Sequence, residues 1–205
     1  MFTLTKRSID IVLSALFIFL AFPIILLFVV CIGVVSKGAP FYCQERLGLN
    51  GTLFRMWKIR TMFSNSDELL KKHFAENPSA REEWDNYFCL KSDPRIAGRI
   101  GRFARKFSID ELPQFYNVLK GEMSLVGPRP VPIEEHLLFP NDKRDIRNSV
   151  KPGVTGLWQI SGRSEMTIYE KLELDLRYIK EKSLLSDIKI LLLTPVNVIS
   201  SKGAF

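Results

Sequence analysis

From Ile11 to Ser36 the chain runs for 26 residues without a charge, almost all of them Ile, Leu, Val, Phe or Ala. A membrane helix needs roughly 20 such residues, so this segment meets lipid. A cleaved signal peptide and a buried core helix are the other sources of such a run. Its length and the lack of an Ala-x-Ala cleavage pattern argue against both. Pro23 stands near the middle, where it removes one helical hydrogen bond and bends the axis. Lys6 and Arg7 precede the run, while Lys37, Arg46, Arg55, Lys58 and Arg60 follow it. The positive-inside tendency asks for both flanks on the cytoplasmic side, which a single crossing cannot provide. A helix that enters, breaks at Pro23 and returns to the same face provides it. A simple span is the alternative. Ser14 is a candidate partner for backbone groups freed at the break. The expected organisation is a re-entrant membrane helix over residues 1–37 and one cytoplasmic-face domain over residues 38–205.

The rest of the chain has the composition of one globular unit: 205 residues overall, 46% hydrophobic and 25% charged. A net charge of +7 favours anionic partners. Cys31, Cys43 and Cys89 form no CxxC pair, which excludes a disulfide scaffold and a cysteine-rich zinc site. With only His73 and His136 present, acid, base or nucleophile chemistry falls to carboxylates. Alternation on either side of Leu-Gly-Leu-Asn-Gly predicts a β-hairpin from about Phe41 to Ile59, delivering Lys58 and Arg60 together. Asp67 to Asp85 has the pattern of one or two exposed amphipathic helices. Thr167 to Lys182 places Ile168, Leu172, Leu176 and Ile179 at helical spacing. Leu184 to Val198 is strongly apolar except for Asp187 and Lys189, which suits a helix lying in the membrane interface, with ordinary core packing as the alternative. The fold class is therefore α+β and mainly helical, with a small hairpin and interfacial amphipathic helices.

Between Lys91 and Lys106 six basic residues face one acid, Asp93. This stripe has three readings. It is a solvated helix face, a nucleic-acid surface, or a phosphate site built on arginine's planar fork. No helix-turn-helix, zinc-finger or RNP-type motif accompanies it, which sets nucleic acid aside. The next segment begins Ser108-Ile-Asp-Glu-Leu-Pro-Gln. Ser108 and Glu111 have capping-box spacing, Leu112, Phe115, Tyr116 and Leu119 share a helical face, and Gly121 ends the helix. On that reading Asp110 is an ordinary residue. Counted from Asp110 as the cap instead, Pro113 falls among the free donors of the first turn. A carboxylate there is held ionised by the helix dipole, beside N–H groups that favour phosphate. Two anions so placed need a cation between them, and Mg²⁺ is the usual choice.

Ser108 to Gln114, continued by Asn-Val-Leu-Lys-Gly-Glu-Met-Ser-Leu-Val-Gly-Pro-Arg129-Pro, resembles the signature of the bacterial sugar transferases, the monotopic phosphoglycosyl transferases. Nearly the whole chain takes part: the membrane segment, Gln44-Glu-Arg-Leu-Gly, Lys58-Ile-Arg60-Thr-Met, Ser92-Asp93-Pro-Arg95, Lys151-Pro-Gly-Val-Thr-Gly-Leu-Trp-Gln-Ile-Ser-Gly-Arg163, and Asp175 with Tyr178. The resemblance implies transfer of a sugar phosphate from a UDP-sugar to undecaprenyl phosphate, with UMP released. It also implies a covalent intermediate on Asp110. By match, Glu111 assists as a metal ligand or a base, and Asp110 and Glu111 are the candidate Mg²⁺ ligands. Lys58, Arg105 and Arg129 hold phosphates, while Arg60, Asp93, Arg95, Gln159, Arg163 and Asp175 border the nucleotide or sugar. Each has a plainer role open to it: Lys58 on an exposed strand, Arg105 on a solvated helix face, Asp93-Pro-Arg95 in a turn, Asp175 paired with Arg177 or Lys171. The implied location is the cytoplasmic face of the bacterial inner membrane, with the bilayer as partner and a homodimer compatible. Many relatives carry a large N-terminal extension, so this chain is either a minimal form or a catalytic portion. The insertion from about Asp67 to Leu90, with Gly156-Leu-Trp-Gln, is closer to relatives that start O-antigen, capsule or exopolysaccharide units with galactose or glucose. A membrane-tethered binding or assembly protein on the same fold is the non-enzymatic alternative.

Overall fold

The computed structural model describes residues 2–36, 38–162 and 165–200. Helix α1 (Phe2–Ser36) leads into a hairpin of β1 (Phe41–Leu47) and β2 (Leu53–Ile59), paired antiparallel with Phe41 opposite Ile59. Helices α2 (Ser66–Glu76), α3 (Pro78–Tyr87), α4 (Gly98–Lys106) and α5 (Gln114–Lys120) follow. A short strand β3 (Ser124–Val126) then pairs in parallel with β4 (Gly153–Thr155) across α6 (Ile133–Leu137) and α7 (Asn141–Asn148). The chain closes with α8 (Leu157–Ser161), α9 (Ile168–Glu181) and α10 (Leu184–Ser200). The mainly helical α+β class and the hairpin stand as read from sequence.

Pro23 does not interrupt α1, which runs as a single helix through it. A proline removes one backbone donor and crowds one carbonyl, but the hydrogen-bond ladder continues on either side. Ser14 lies nine residues upstream, and its buried hydroxyl finds no hydrogen-bond partner, so it does not serve the proline. Thr3–Gly33 is long and apolar enough to cross a membrane, and only 6% of its most apolar window is covered by the rest of the protein. The helix nonetheless docks on the domain at several points. Arg7 donates to the carbonyls of Val118 (2.6 Å) and Leu119 (2.8 Å) at the end of α5. Asp10 accepts the Leu125 N–H at 3.0 Å, and Lys6 pairs with Asp187 of α10. Farther along, Phe17 stacks on Phe115 of α5 and Phe28 on Phe103 of α4, with ring centroids 5.2 and 6.1 Å apart. From Lys6 to Phe28 is about 33 Å of helix, so α1 lies along the domain rather than standing out from it.

The core gathers around β2, α5 and β3, where Phe54, Met56, Val118, Met123, Leu125 and Val126 are buried with Tyr178 and Ile190. Asn117 ties these pieces together: its Oδ1 accepts the Trp57 N–H at 3.0 Å, and its Nδ2 donates to the Arg55 carbonyl and to Glu122 at 2.7 Å each. The helix ends at Gly121, in the left-handed conformation its missing side chain permits. Gly153 is held within the β3–β4 pair, where an added Cβ would stand 2.1 Å from the Gly127 nitrogen. Helix α9 begins with a capping box between Thr167 and Glu170.

Candidate active site

The Ser108–Glu111 segment does not form the capping box its spacing suggests. Ser108 takes a left-handed conformation (φ 54°) and makes no cap bond, and Ile109–Glu111 forms one tight 3₁₀ turn ahead of α5. Pro113 occupies the position just before that helix, where an absent N–H leaves no intrahelical bond unmade. The turn frees the Glu111 side chain to reach elsewhere. It accepts from Lys58 Nζ at 3.0 Å and from both terminal nitrogens of Arg129, a forked pair. Lys58 arrives from the end of β2, and Arg129 from the Gly-Pro-Arg segment after β3. Burial pushes the Glu111 carboxyl up, but Arg129 and Lys58 outweigh it and hold the group well below the usual carboxylate range. Burial also lowers the Lys58 ammonium, against the pull of Glu111.

Asp110 is only 5% exposed, and among the described residues its carboxylate makes no hydrogen bond. Burial raises its pKa, with Lys58 opposing and Glu111 adding to the rise. The helix dipole expected to keep this group ionised is outweighed. Asp110 sits a turn ahead of the short α5, and desolvation dominates. A buried carboxylate with no hydrogen bond among the described residues, beside a second carboxylate whose Oε2 accepts one bond, is a pair of hard-oxygen donors that could hold Mg²⁺. Among the described residues no group of three His, Cys, Asp or Glu side chains forms a metal site of the all-protein kind.

These groups open into a cavity of about 530 Å³. Lys58, Arg105, Asp110, Glu111, Arg129, Thr155 and Gln159 are among its polar lining residues. Phe17, Leu20, Ala21 and Ile24 of α1 face it from one side, and Leu191, Pro195 and Val198 of α10 from another. The cavity thus joins a charged carboxylate site to the two helices whose outer faces are most apolar; on α10, Leu185, Ile188, Leu192, Val196 and Ile199 are exposed.

Comparison with known proteins fits this arrangement. A family model for bacterial sugar transferases matches residues 1–201. The chain belongs to the bacterial sugar transferase family. It is 44% identical to the undecaprenyl-phosphate galactose phosphotransferase of Salmonella typhimurium, over 98% of this chain and 41% of that protein. It is 37% identical to the undecaprenyl-phosphate glucose phosphotransferase of Komagataeibacter xylinus, over 98% of this chain and 37% of the other. The exopolysaccharide production protein ExoY of Rhizobium meliloti is 38% identical over 98% of this chain and 88% of its own length. The chain therefore spans about two fifths of the first two relatives and most of the third.

In this sugar transferase the cavity gathers six of the candidates, Asp110, Glu111, Lys58, Arg105, Arg129 and Gln159. Four other candidates do not line it. Arg60 follows the last residue of β2, so strand alternation no longer governs it; its Nε donates to the Ala39 carbonyl at 2.8 Å and its guanidinium covers the Tyr42 ring. Asp93 and Arg95 form a buried forked pair, with contacts of 2.8 and 2.7 Å, that sits behind Arg105: Arg105 Nη1 lies 3.8 Å from Asp93. Burial raises the Asp93 carboxyl, and the Arg95 hydrogen bonds more than reverse it. Asp175 is buried on α9, but its partner is Arg147 of α7 at 2.9 Å, rather than Arg177 or Lys171. Arg163 lies outside the described residues.

Arg147 is the residue sequence reasoning missed. Its guanidinium links Asp175 to the backbone carbonyl of Arg129, and so fixes the residue that grips Glu111. No motif announces it, because it sits in an ordinary charged helix. Trp158 was also unassigned. It lines the cavity, with Arg129 and Lys171 over its ring at 5.9 and 5.5 Å.

Proposed function

We propose that this sugar transferase moves a sugar 1-phosphate from a UDP-sugar to undecaprenyl phosphate, at the cytoplasmic face of the bacterial inner membrane. The observation that carries the reading is Asp110: a carboxylate only 5% exposed, among the cations Lys58, Arg105 and Arg129, in a cavity walled by the membrane helix. Asp110 attacks the β-phosphorus of the donor, forming an oxygen–phosphorus bond. The bond from that phosphorus to the bridging oxygen breaks, and UMP leaves with the electron pair. An oxygen of undecaprenyl phosphate then attacks the same phosphorus, and the carboxylate is restored as undecaprenyl-diphosphate-sugar departs. Two steps let a soluble donor and a lipid acceptor use one site in turn.

Lys58, Arg129 and Arg105 neutralise the phosphate oxygens. Glu111 aligns the first two, and Asp93 stands behind the third. The hydrogen bonds that Lys58 and Arg129 give to Glu111 suit such an aligning anion, with the role of a base as the alternative. Mg²⁺ would be held by Asp110 and Glu111 with donor phosphate oxygens, and would supply charge neutralisation at phosphorus. A galactose or glucose donor is supported by the printed names of the Salmonella and Komagataeibacter relatives.

Residues 1–37 form the membrane segment and residues 38–205 the catalytic domain. The part of the re-entrant reading that puts both ends of α1 on one side, without a break at Pro23, is supported by the packing of the helix on one domain at both Lys6 and Phe28, because a perpendicular span would carry one of those contacts into or through the bilayer. Cysteines placed at Thr3 and Gly38 are expected to resist reagents confined to the outer side; labelling of one alone would establish a span. For activity, the purified protein is incubated with Mg²⁺, undecaprenyl phosphate and a panel of UDP-sugars, and UMP is measured. Release with at least one sugar, lost in Asp110→Asn, is expected. Unchanged release in that variant would overturn the mechanism.

A further inference from the structure

Helix α4 divides its cations between two directions. Arg105 turns into the catalytic cavity, whereas Arg99, Arg102 and Lys106 are exposed. Those three, with Phe103, stand at i, i+3, i+4 and i+7, a single face of the helix. Among the described residues none of the three cations makes a hydrogen bond or an ion pair with an acid. The sequence offers an acid nearby in Asp93, but Arg95 and Arg105 occupy it.

The position of this face is set by α1. Phe103, half exposed, stacks on Phe28, and the adjoining turns of α1 present Leu27 and Val30 outward. A solvated helix face needs no aromatic residue in its middle and no apolar border. A face touching the surface of a bilayer needs both, because the ring and the stems of Arg and Lys cover apolar surface while the charges stay at headgroup depth. We propose that Arg99, Arg102 and Lys106 bind the headgroups of anionic phospholipids, and so set the height and tilt at which the catalytic cavity meets the membrane. The inference rests on the reading that α1 meets lipid.

Each cation near an anionic surface strengthens binding roughly fivefold, so three contribute on the order of a hundredfold. The chain in non-ionic detergent is diluted into a mixture of two vesicle populations, phosphatidylcholine alone and phosphatidylcholine with phosphatidylglycerol, separable by density. The wild type is expected to favour the anionic population, less so as salt is raised. The combined Arg99→Gln, Arg102→Gln and Lys106→Gln variant is expected to divide almost evenly, and the charge-keeping Arg99→Lys, Arg102→Lys and Lys106→Arg variant to keep the preference. UMP release in detergent should be unchanged in both variants, which also verifies that they fold. An even division by the wild type, or a preference undiminished in the glutamine variant, would overturn the proposal. Uptake by neither population would reject the lipid reading of α1 itself. A raised KM for the donor in detergent would assign the face to donor steering instead of lipid.

Discussion

Asp175 offers a sensitive test of the network behind the cavity. The residue is 2% exposed, and burial pushes its carboxyl up to about 6 despite the Arg147 guanidinium beside it. In an unfolded chain the same group titrates near about 3.9. The folded protein therefore holds a proton where the unfolded chain has already lost it. The stability that this group contributes is complete below about pH 4 and is lost as the pH rises through about 6. A gap of about two pKa units corresponds to about 3 kcal/mol, or about 6–12 °C in the unfolding midpoint of a chain this long. Asp175→Asn removes the titration. Unfolding of wild type and variant is measured in the same detergent from about pH 4 to pH 7, and the difference between them isolates this residue from other titrating groups. The wild type is expected to lose ground to the variant as the pH rises. A difference that stays flat, or that grows in favour of the wild type, would mean that Arg147 outweighs burial and that the reasoning has the wrong dominant effect.

Glu111→Gln leaves the largely buried Lys58 and Arg129 without their anion; a loss of about 3 kcal/mol is expected in denaturant unfolding, with UMP release reduced even where the protein remains folded. Asn117→Ala removes the partner of the Trp57 N–H and the Arg55 carbonyl from a fully buried position and should cost about 1–3 kcal/mol, read from the thermal midpoint. In Gly153→Ala the new methyl meets the Gly127 backbone, which side-chain rotation cannot relieve; a loss of at least about 3 kcal/mol is expected, seen as a poor yield of folded protein. Asp110→Asn should leave the unfolding midpoint near or above that of the wild type, since it removes a buried charge whose desolvation outweighs the nearby cations, while mass spectrometry of the quenched reaction finds no sugar-phosphate adduct. A strong loss of stability in that variant would show that Asp110 has a structural partner.

Much of this fold is legible because local physics decides it. The uncharged run could only become α1, and alternation about the Leu-Gly-Leu-Asn-Gly turn placed both hairpin strands. Within the site, Lys58, Arg129 and the Asp110–Glu111 pair were readable from the resemblance. The hydrogen bonds joining them were not, because Glu111 had an equally good local partner in the capping-box geometry and tertiary cations won it. Arg60 misled for a related reason: alternation holds only while the strand lasts, and β2 ends one residue earlier. Asp175 and Arg147 lie 28 residues apart on different helices, a separation at which no spacing rule operates. Pro23 shows the opposite error, a strong local signal that the rest of a long apolar helix absorbs.

Phe17, Leu20, Ala21 and Ile24 are at once part of the anchor and part of the reaction chamber. A version trimmed of its first helix to gain solubility would lose a side of the vessel in which the chemistry takes place. Under the proposed function, detachment from the bilayer and inactivation become one event, so a displaced molecule spends no sugar nucleotide in open water.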